Sequence, residues 1–286
     1  MSIAKERSQL VFRKLERDLR RLSAQQQPES VHSFRTTTRR IETLLVELLP
    51  QRNRNQKKLL KMLGSVRKRA GRVRDLDVQL AALRSLKTGQ EPRRKTQLTQ
   101  GLLELRGAQE KKLRKMLTRE SVREIRRRLE RASRELRLKN CPDPLTVARE
   151  ILARSAPPAG PLTEEMLHQY RIQIKRARYA AEFAPKSAQA AQFSAQLQRL
   201  QDAIGHWHDW MTLTHTASEY LGGINQSSLV AALHNVTGGK FRNAVAAVSA
   251  SPARQARPKP VSLAGPESRK LGTKLTPQAT RTDSAA

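Results

Sequence analysis

Apolar residues recur three or four positions apart among charged ones along this chain, the period of helices that bury one face. Ile3, Leu10, Leu15, Leu19 and Leu22 mark a first helix over 3–24, ended by the Gln-rich stretch before Pro28. A second is predicted from Glu29-Ser30 to Leu49, where Pro50 stops it. The third covers about 53–70, through Leu59, Leu60, Met62, Leu63 and Val66, and is expected to break at Gly71. A fourth follows Asp75 and ends around Gly89. Pro92 opens a long basic helix through Met116, and another spans roughly 121–138, before Pro142 and Pro144. The run Ser155-Ala156-Pro157-Pro158-Ala159-Gly160-Pro161 reads as a linker. Thr163 then caps a helix to Ala184, with Glu164 and Glu165 at the positive end of its dipole. Helices at about 187–204, 208–221 and 226–236 complete the pattern. Pro, Ser, Thr, Ala and Lys/Arg then dominate with little period, so the domain is bounded at 1–245 and 246–286 is expected to be a disordered basic tail.

Composition agrees with an all-α chain and adds charge to the picture. Aromatics are 3% of 286 residues, so the cores must be built from Leu, Val, Ile and Ala. Fifty-six Lys and Arg stand against 25 Asp and Glu, a net charge of +31. Such self-repulsion opposes compaction unless anions neutralise it, which implies a polyanionic partner: nucleic acid, an anionic membrane surface or a phosphate polymer. Cys141 is the only cysteine, which excludes an intramolecular disulfide. Met1 to Arg7 lacks the apolar stretch of a signal peptide, and no apolar run is long enough to cross a bilayer. The expected location is the cytoplasm.

Self-similarity is the most informative feature. Val31-His32-Ser33-Phe34-Arg35 matches Leu167-His168-Gln169-Tyr170-Arg171 at an offset of 136, and the register continues with Arg39-Arg40 on Lys175-Arg176. Gly71-Arg72-Val73-Arg74-Asp75 matches Gly205-His206-Trp207-His208-Asp209 at an offset of 134. Two ordered matches predict a duplicated helical unit, about 3–140 and 143–240. At 100° per residue, His32, Arg35 and Arg39 share one stripe beside an apolar one of Val31, Phe34, Ile41 and Leu45. His168, Arg171 and Lys175, with Arg178 at the edge, form the same stripe in the second unit. An ordinary solvated helix face interleaves acids with bases, yet no acid occurs from Val31 to Ile41 or from Met166 to Ala181. A further acid-free run, with Arg67, Lys68, Arg69, Arg72 and Arg74, ends at Asp75 and Asp77. Those aspartates are either helix N-caps or, with Asp209, supports for a basic side chain or histidine.

With these residues the chain resembles the conserved histidine α-helical domain family, CHAD. The resemblance rests on Val31-His32-x-x-Arg35-x-x-x-Arg39-Arg40 and Gly71-x-x-Arg74-Asp75-Leu76-Asp77. It recurs in Leu167-His168-x-x-Arg171-x-x-x-Lys175-Arg176 with Tyr179, and in Leu200-Gln201-Asp202-x-x-Gly205-x-x-His208-Asp209. It covers about residues 5–235 and implies two four-helix bundles related by a pseudo-two-fold axis around a basic central channel. It also implies binding of inorganic polyphosphate and association with polyphosphate granules, with His32, Arg35, Arg39, Arg40, His168, Arg171, Lys175 and Arg176 as ligand-binding residues. Arg67, Arg74 and Arg178 join them as candidates on position, with His208 in support. His208 stands where the first unit has Arg74, and Met211 replaces the second aspartate. A second-half site that binds more weakly or depends on pH is therefore expected. The family's frequent fusion partner, a triphosphate-processing domain, is not expected, because no acidic, strand-rich segment is present.

The residues themselves argue against the competing functions. No helix-turn-helix, zinc or RNA-recognition motif accompanies the charge, and stacking aromatics are scarce. Nonspecific nucleic-acid binding through the basic tail stays open. His206-x-His208-Asp209 offers metal-ligand types, but the two histidines fall on different sides of a helix with no acid cluster around them. No cofactor, no metal and no catalysis are expected. Trp207 and Trp210 read as core residues rather than membrane anchors.

Overall fold

A computed structural model describes residues 5–87, 91–158 and 160–251. Among them are nine α-helices and no strand: α1 (Lys5–Ala24), α2 (Pro28–Thr43), α3 (Arg54–Ser85), α4 (Pro92–Met116), α5 (Arg119–Arg134), α6 (Pro144–Ser155), α7 (Glu164–Ala181), α8 (Ala188–Leu221) and α9 (Ser228–Ser249). A π-helical turn, Leu44–Leu48, extends α2. The side chains of Asn53, Thr118, Asp143, Thr163, Ser187 and Ser227 each accept a backbone N–H at a helix start.

Two expected breaks are absent. α3 runs through Gly71 and α8 through Gly205, each as one helix of more than 30 residues. An interior glycine costs a helix about 1 kcal/mol, which the buried neighbours outweigh: Ala70 and Val73 in α3, Ile204 and Trp207 in α8. Asp75 and Asp77 consequently sit in mid-helix and cap nothing. α6 falls where the sequence reading has only prolines and a linker, although Leu145, Ala148, Ile151 and Leu152 are buried at helical spacing. α9 continues past 236 to Ser249 because Ala244 and Val248 bury against the core. The expected tail therefore starts after α9, and residues 252–286, with the nucleic-acid role assigned to them, lie outside the described residues.

α1, α2, the first half of α3 and α5 pack in a closed ring of four. In the other half, α6 packs on α7, α7 on α8 and α8 on α9. One continuous core runs through both, from Phe12, Leu15 and Phe34 to Tyr170, Trp207 and Val248. A second core joins the far ends of α3 and α4 to those of α8 and α9 through Leu80, Leu83, Leu98, Leu213 and Leu233. The two halves are thus bonded to each other twice, along α2 against α7 and at this mixed end. Trp207 is fully buried, edge-on to Phe241 at 5.8 Å, and Trp210 packs against the second core. Among the described residues no helix is long and apolar enough to cross a membrane.

Candidate functional site

The four helices that carry the matched motifs, α2, α3, α7 and α8, face one cleft of about 1010 Å³. α2 lends His32, Arg35 and Arg39, and α3 lends Arg67, Arg74 and Asp75. α7 lends His168, Arg171, Lys175, Arg176 and Arg178, and α8 lends His208 and Asp209. The apolar stripes beside them, with Phe34, Ile41, Tyr170 and Ile174, are fully buried, and this aims the cationic rows inward. Eight Arg and Lys and four His line the cleft, against Glu42, Glu47, Asp75, Asp202 and Asp209.

Arg35 lies across the backbone of α3. Its Nη1 donates to the Arg67 carbonyl at 3.2 Å, and a Cβ added at Gly71 would stand 2.3 Å from that nitrogen. Gly71 is therefore a seat for a guanidinium. Gly205, its match in α8, has nothing within 4 Å. Arg171 stands 3.9 Å from Asp209, which is 3.8 Å from His208 Nδ1. The His168 and His208 rings stack with centroids 5.3 Å apart.

Burial, followed by crowding from other cations, sets the protonation of the site. His32 is pushed below the ordinary histidine value by burial and then by Arg74 and Arg35. His168 is pushed down by burial and then by His208 and Arg171. Lys175 falls to about 7, because burial removes its water and Arg171 adds to the penalty, with Asp209 only partly opposing. Asp75 moves upward through the water it loses, partly offset by Arg35. Near neutral pH, His32 and His168 are therefore biased toward the neutral form, and Lys175 titrates at about 7.

Arg40 departs from the expected set: it does not line the cleft. Its Nε donates to Glu182, and its guanidinium lies 5.9 Å from the centre of the Tyr179 ring. Arg176 reaches the cleft but is committed to Glu47. These two contacts are reciprocal. Arg176 follows Arg40 by 136 positions and Glu182 follows Glu47 by 135, so each arginine pairs with the acid of the other half. Arg67 is held by Glu42 at 2.7 Å. Asp77 also turns away from the cleft, accepting from Arg106 Nε at 2.6 Å. Among the described residues no group of three or more His, Cys, Asp or Glu is arranged to hold a metal ion.

The family model for the CHAD domain matches residues 8–218, about three quarters of the chain. The chain belongs to the CHAD domain family. A solved relative, the crystal structure of the CHAD domain from the plant Ricinus communis, is 18% identical with a TM-score of 0.59. The match covers 86% of this chain and 90% of that one, and shows the shared fold. No curated protein matches the chain.

Sequence reasoning missed the glutamates in and beside the CHAD cleft. Glu42 stands three residues after Arg39, Glu182 four after Arg178, and Glu47 at the same spacing as Glu182 in the repeat. The acid-free windows stop one residue short of two of them, so an i,i+4 scan carried one turn further finds both. Gln201, whose buried Oε1 has no protein partner, and Gln198 and Asp202 also line the cleft.

Proposed function

We propose that this CHAD chain binds inorganic polyphosphate in the cleft and holds it without chemical turnover, as a cytoplasmic protein that associates with polyphosphate granules. The observation that carries this reading is a division of labour among the cations in and beside the cleft. Arg40, Arg67 and Arg176 are hydrogen-bonded to glutamates. Arg39 and Arg171 have carboxylates no nearer than 3.7 and 3.9 Å, and Arg74 and Lys175 have no ion pair among the described residues. Those loosely compensated cations, with Arg35, come from both halves and face one space. A phosphate chain offers one charge per unit and no bases. It is recognised by guanidinium forks, by a lysine point charge and by neutral histidine donors.

Counterion release makes such binding steeply salt-dependent. Arg35, Arg39, Arg171 and Lys175 changed together to Ala are expected to weaken retention on immobilised polyphosphate sharply at moderate salt. Undiminished retention overturns the assignment. Duplex DNA at matched charge and salt serves as competitor, and displacement by it at equal concentration would return nucleic acid as the ligand. Orthophosphate released from polyphosphate in the presence of divalent ions would refute the absence of turnover.

A further inference from the structure

The cleft uses one side of α3. At 100° per residue, Leu60, Gly64, Arg67, Arg74, Asp75, Val78 and Gln79, which line the cleft, and Gly71, which seats Arg35, fall within about 140° of one another. An adjoining arc carries Arg54, Lys58, Lys61, Lys68, Arg69 and Arg72, which fall within about 100° of one another and none of which lines the cleft. These six are exposed or half-buried, and none has an ion pair or side-chain hydrogen bond among the described residues. The row spans 18 residues, about 27 Å at 1.5 Å per residue. No acid occurs on α3 before Asp75. Bases repeated at i,i+4 and i,i+3 without acids repel one another, and those in the first turns also oppose the helix dipole.

The same row runs into a recess. Arg54, Asn55 and Lys58 of α3 and Arg127, Arg128 and Arg131 of α5 line a pocket of about 480 Å³ that shares no residue with the cleft. α5 treats its charges in the opposite way. Glu124 pairs with Arg127 at 2.8 Å and Arg128 at 2.6 Å, and Glu135 with Arg131 at 2.7 Å. Arg128 is further fixed by donating Nη1 to Asn55 at 3.2 Å, which leaves its buried Nε without a partner. The α5 arginines are thus paired with acids, whereas Arg54 and Lys58 opposite them have their donors free. No aromatic side chain stands in the recess to stack a base, and its volume is that of a small-ligand site.

We propose a second anion-binding site on the exterior of α3, anchored in the Arg54–Arg131 recess and continued along Lys58, Lys61, Lys68 and Arg72, that takes a linear phosphate chain. It rests on the polyphosphate reading for the identity of the ligand and not for its geometry. A long chain engages the whole row, whereas a free short oligophosphate fills the recess alone.

The test uses the full chain in four forms: wild type, a ridge variant (Arg54→Gln, Lys58→Gln, Lys61→Gln, Lys68→Gln, Arg72→Gln), a cleft variant (Arg35→Ala, Arg171→Ala) and their combination. Circular dichroism first shows that the helix content of each is unchanged. Binding of long polyphosphate, tripolyphosphate and duplex DNA is then measured against salt. The ridge variant is expected to lose long-polyphosphate affinity and to flatten the slope of log K against log salt by about 0.7 for each phosphate contact removed. The cleft variant should keep residual binding that only the combination removes. Loss of tripolyphosphate binding in the ridge variant also supports the site, with the recess as its seat. An unchanged salt slope in the ridge variant overturns the exterior site while leaving the cleft assignment standing. A cleft variant that binds as wild type while the ridge variant does not would refute the cleft assignment alone. A ridge defect confined to duplex DNA overturns the phosphate-chain assignment. Restoring charge with Arg at the three lysine positions is expected to restore affinity, and failure to do so overturns the electrostatic account.

Discussion

Lys175 gives the electrostatics of the cleft a quantitative test. Its ammonium is depressed first by burial and then by Arg171 on its own helix and Arg35 and Arg39 on α2, with Asp209 of α8 opposing. A fall from 10.5 to about 7 corresponds to a folding penalty of about 5 kcal/mol, at about 1.4 kcal/mol per tenfold change in the protonation constant. The sign follows from linkage: the folded-state value is depressed, so the unfolded chain binds the extra proton between pH 7 and 10.5. The penalty is complete below about pH 7 and disappears as pH rises through 10.5. Lys175→Met should therefore stabilise the free protein near pH 6, by several degrees in Tm for each few kcal/mol recovered, and have little effect near pH 10.5. A bound phosphate chain opposes the cationic crowding, though not the burial, and so raises the ammonium's value. Binding at pH 8.5 should then take up protons, at most one per Lys175, and affinity should fall by up to tenfold per pH unit above about 7. The histidines lie below their ordinary value and are silent at that pH. Calorimetric titration of polyphosphate at pH 8.5, in two buffers of different ionisation enthalpy and at fixed salt, counts the protons. No uptake by wild type, or an uptake that Lys175→Met leaves in place, refutes the reasoning.

Two further outcomes follow from the packing. Gly71→Ala removes an interior helical glycine and drives a Cβ to 2.3 Å from Arg35 Nη1, the far end of a flexible side chain. Denaturant unfolding should show stability held or raised by up to about 1 kcal/mol while polyphosphate titration shows weaker binding, whereas Gly205→Ala, with nothing within 4 Å, leaves Arg171 undisturbed. Asp77→Ala removes the acceptor of Arg106 Nε while Glu110 and the Gln26 carbonyl keep the other two nitrogens, so urea unfolding should register a loss of about 1–3 kcal/mol.

Helical period and proline stops carried most of the fold into the sequence, because every long helix buries a Leu-rich stripe that repeats at three and four. The errors have one physical origin each. Gly71 and Gly205 read as breaks because helix propensity is local, whereas the packing of Val73 and Trp207 that keeps both helices whole is not. α6 escaped because prolines crowd both of its ends, Pro142 and Pro144 at the start and Pro157, Pro158 and Pro161 after it, although Pro144 at a helix start satisfies the restriction that proline imposes. At the site, the duplicated spacing placed thirteen of fourteen candidate side chains on one cleft. Arg40 was misplaced because adjacent residues on a helix point 100° apart, and only the partner helix decides which of Arg39 and Arg40 faces inward. The recess between α3 and α5 left no signature, since Arg54 and Arg128 meet only through tertiary packing.

The acids explain how a chain of net charge +31 keeps a cationic cleft in shape. Glu182 holds Arg40 and Glu47 holds Arg176, so each half supplies the carboxylate that fixes the other half's arginine. Partly buried ion pairs are poor evidence for stability, because desolvation offsets much of the attraction. Their consequence here is positional: they join α2 to α7, the two helices that bear the histidine-led rows, across the line where the halves meet. The cations nearer the cleft centre are then free to remain undercompensated, since the glutamates that set their separation are committed to Arg40 and Arg176. Cutting both struts should therefore weaken anion binding although every ligand-facing donor is intact. Removing central cations should do the reverse for the free protein, lowering repulsion and raising stability as affinity is lost.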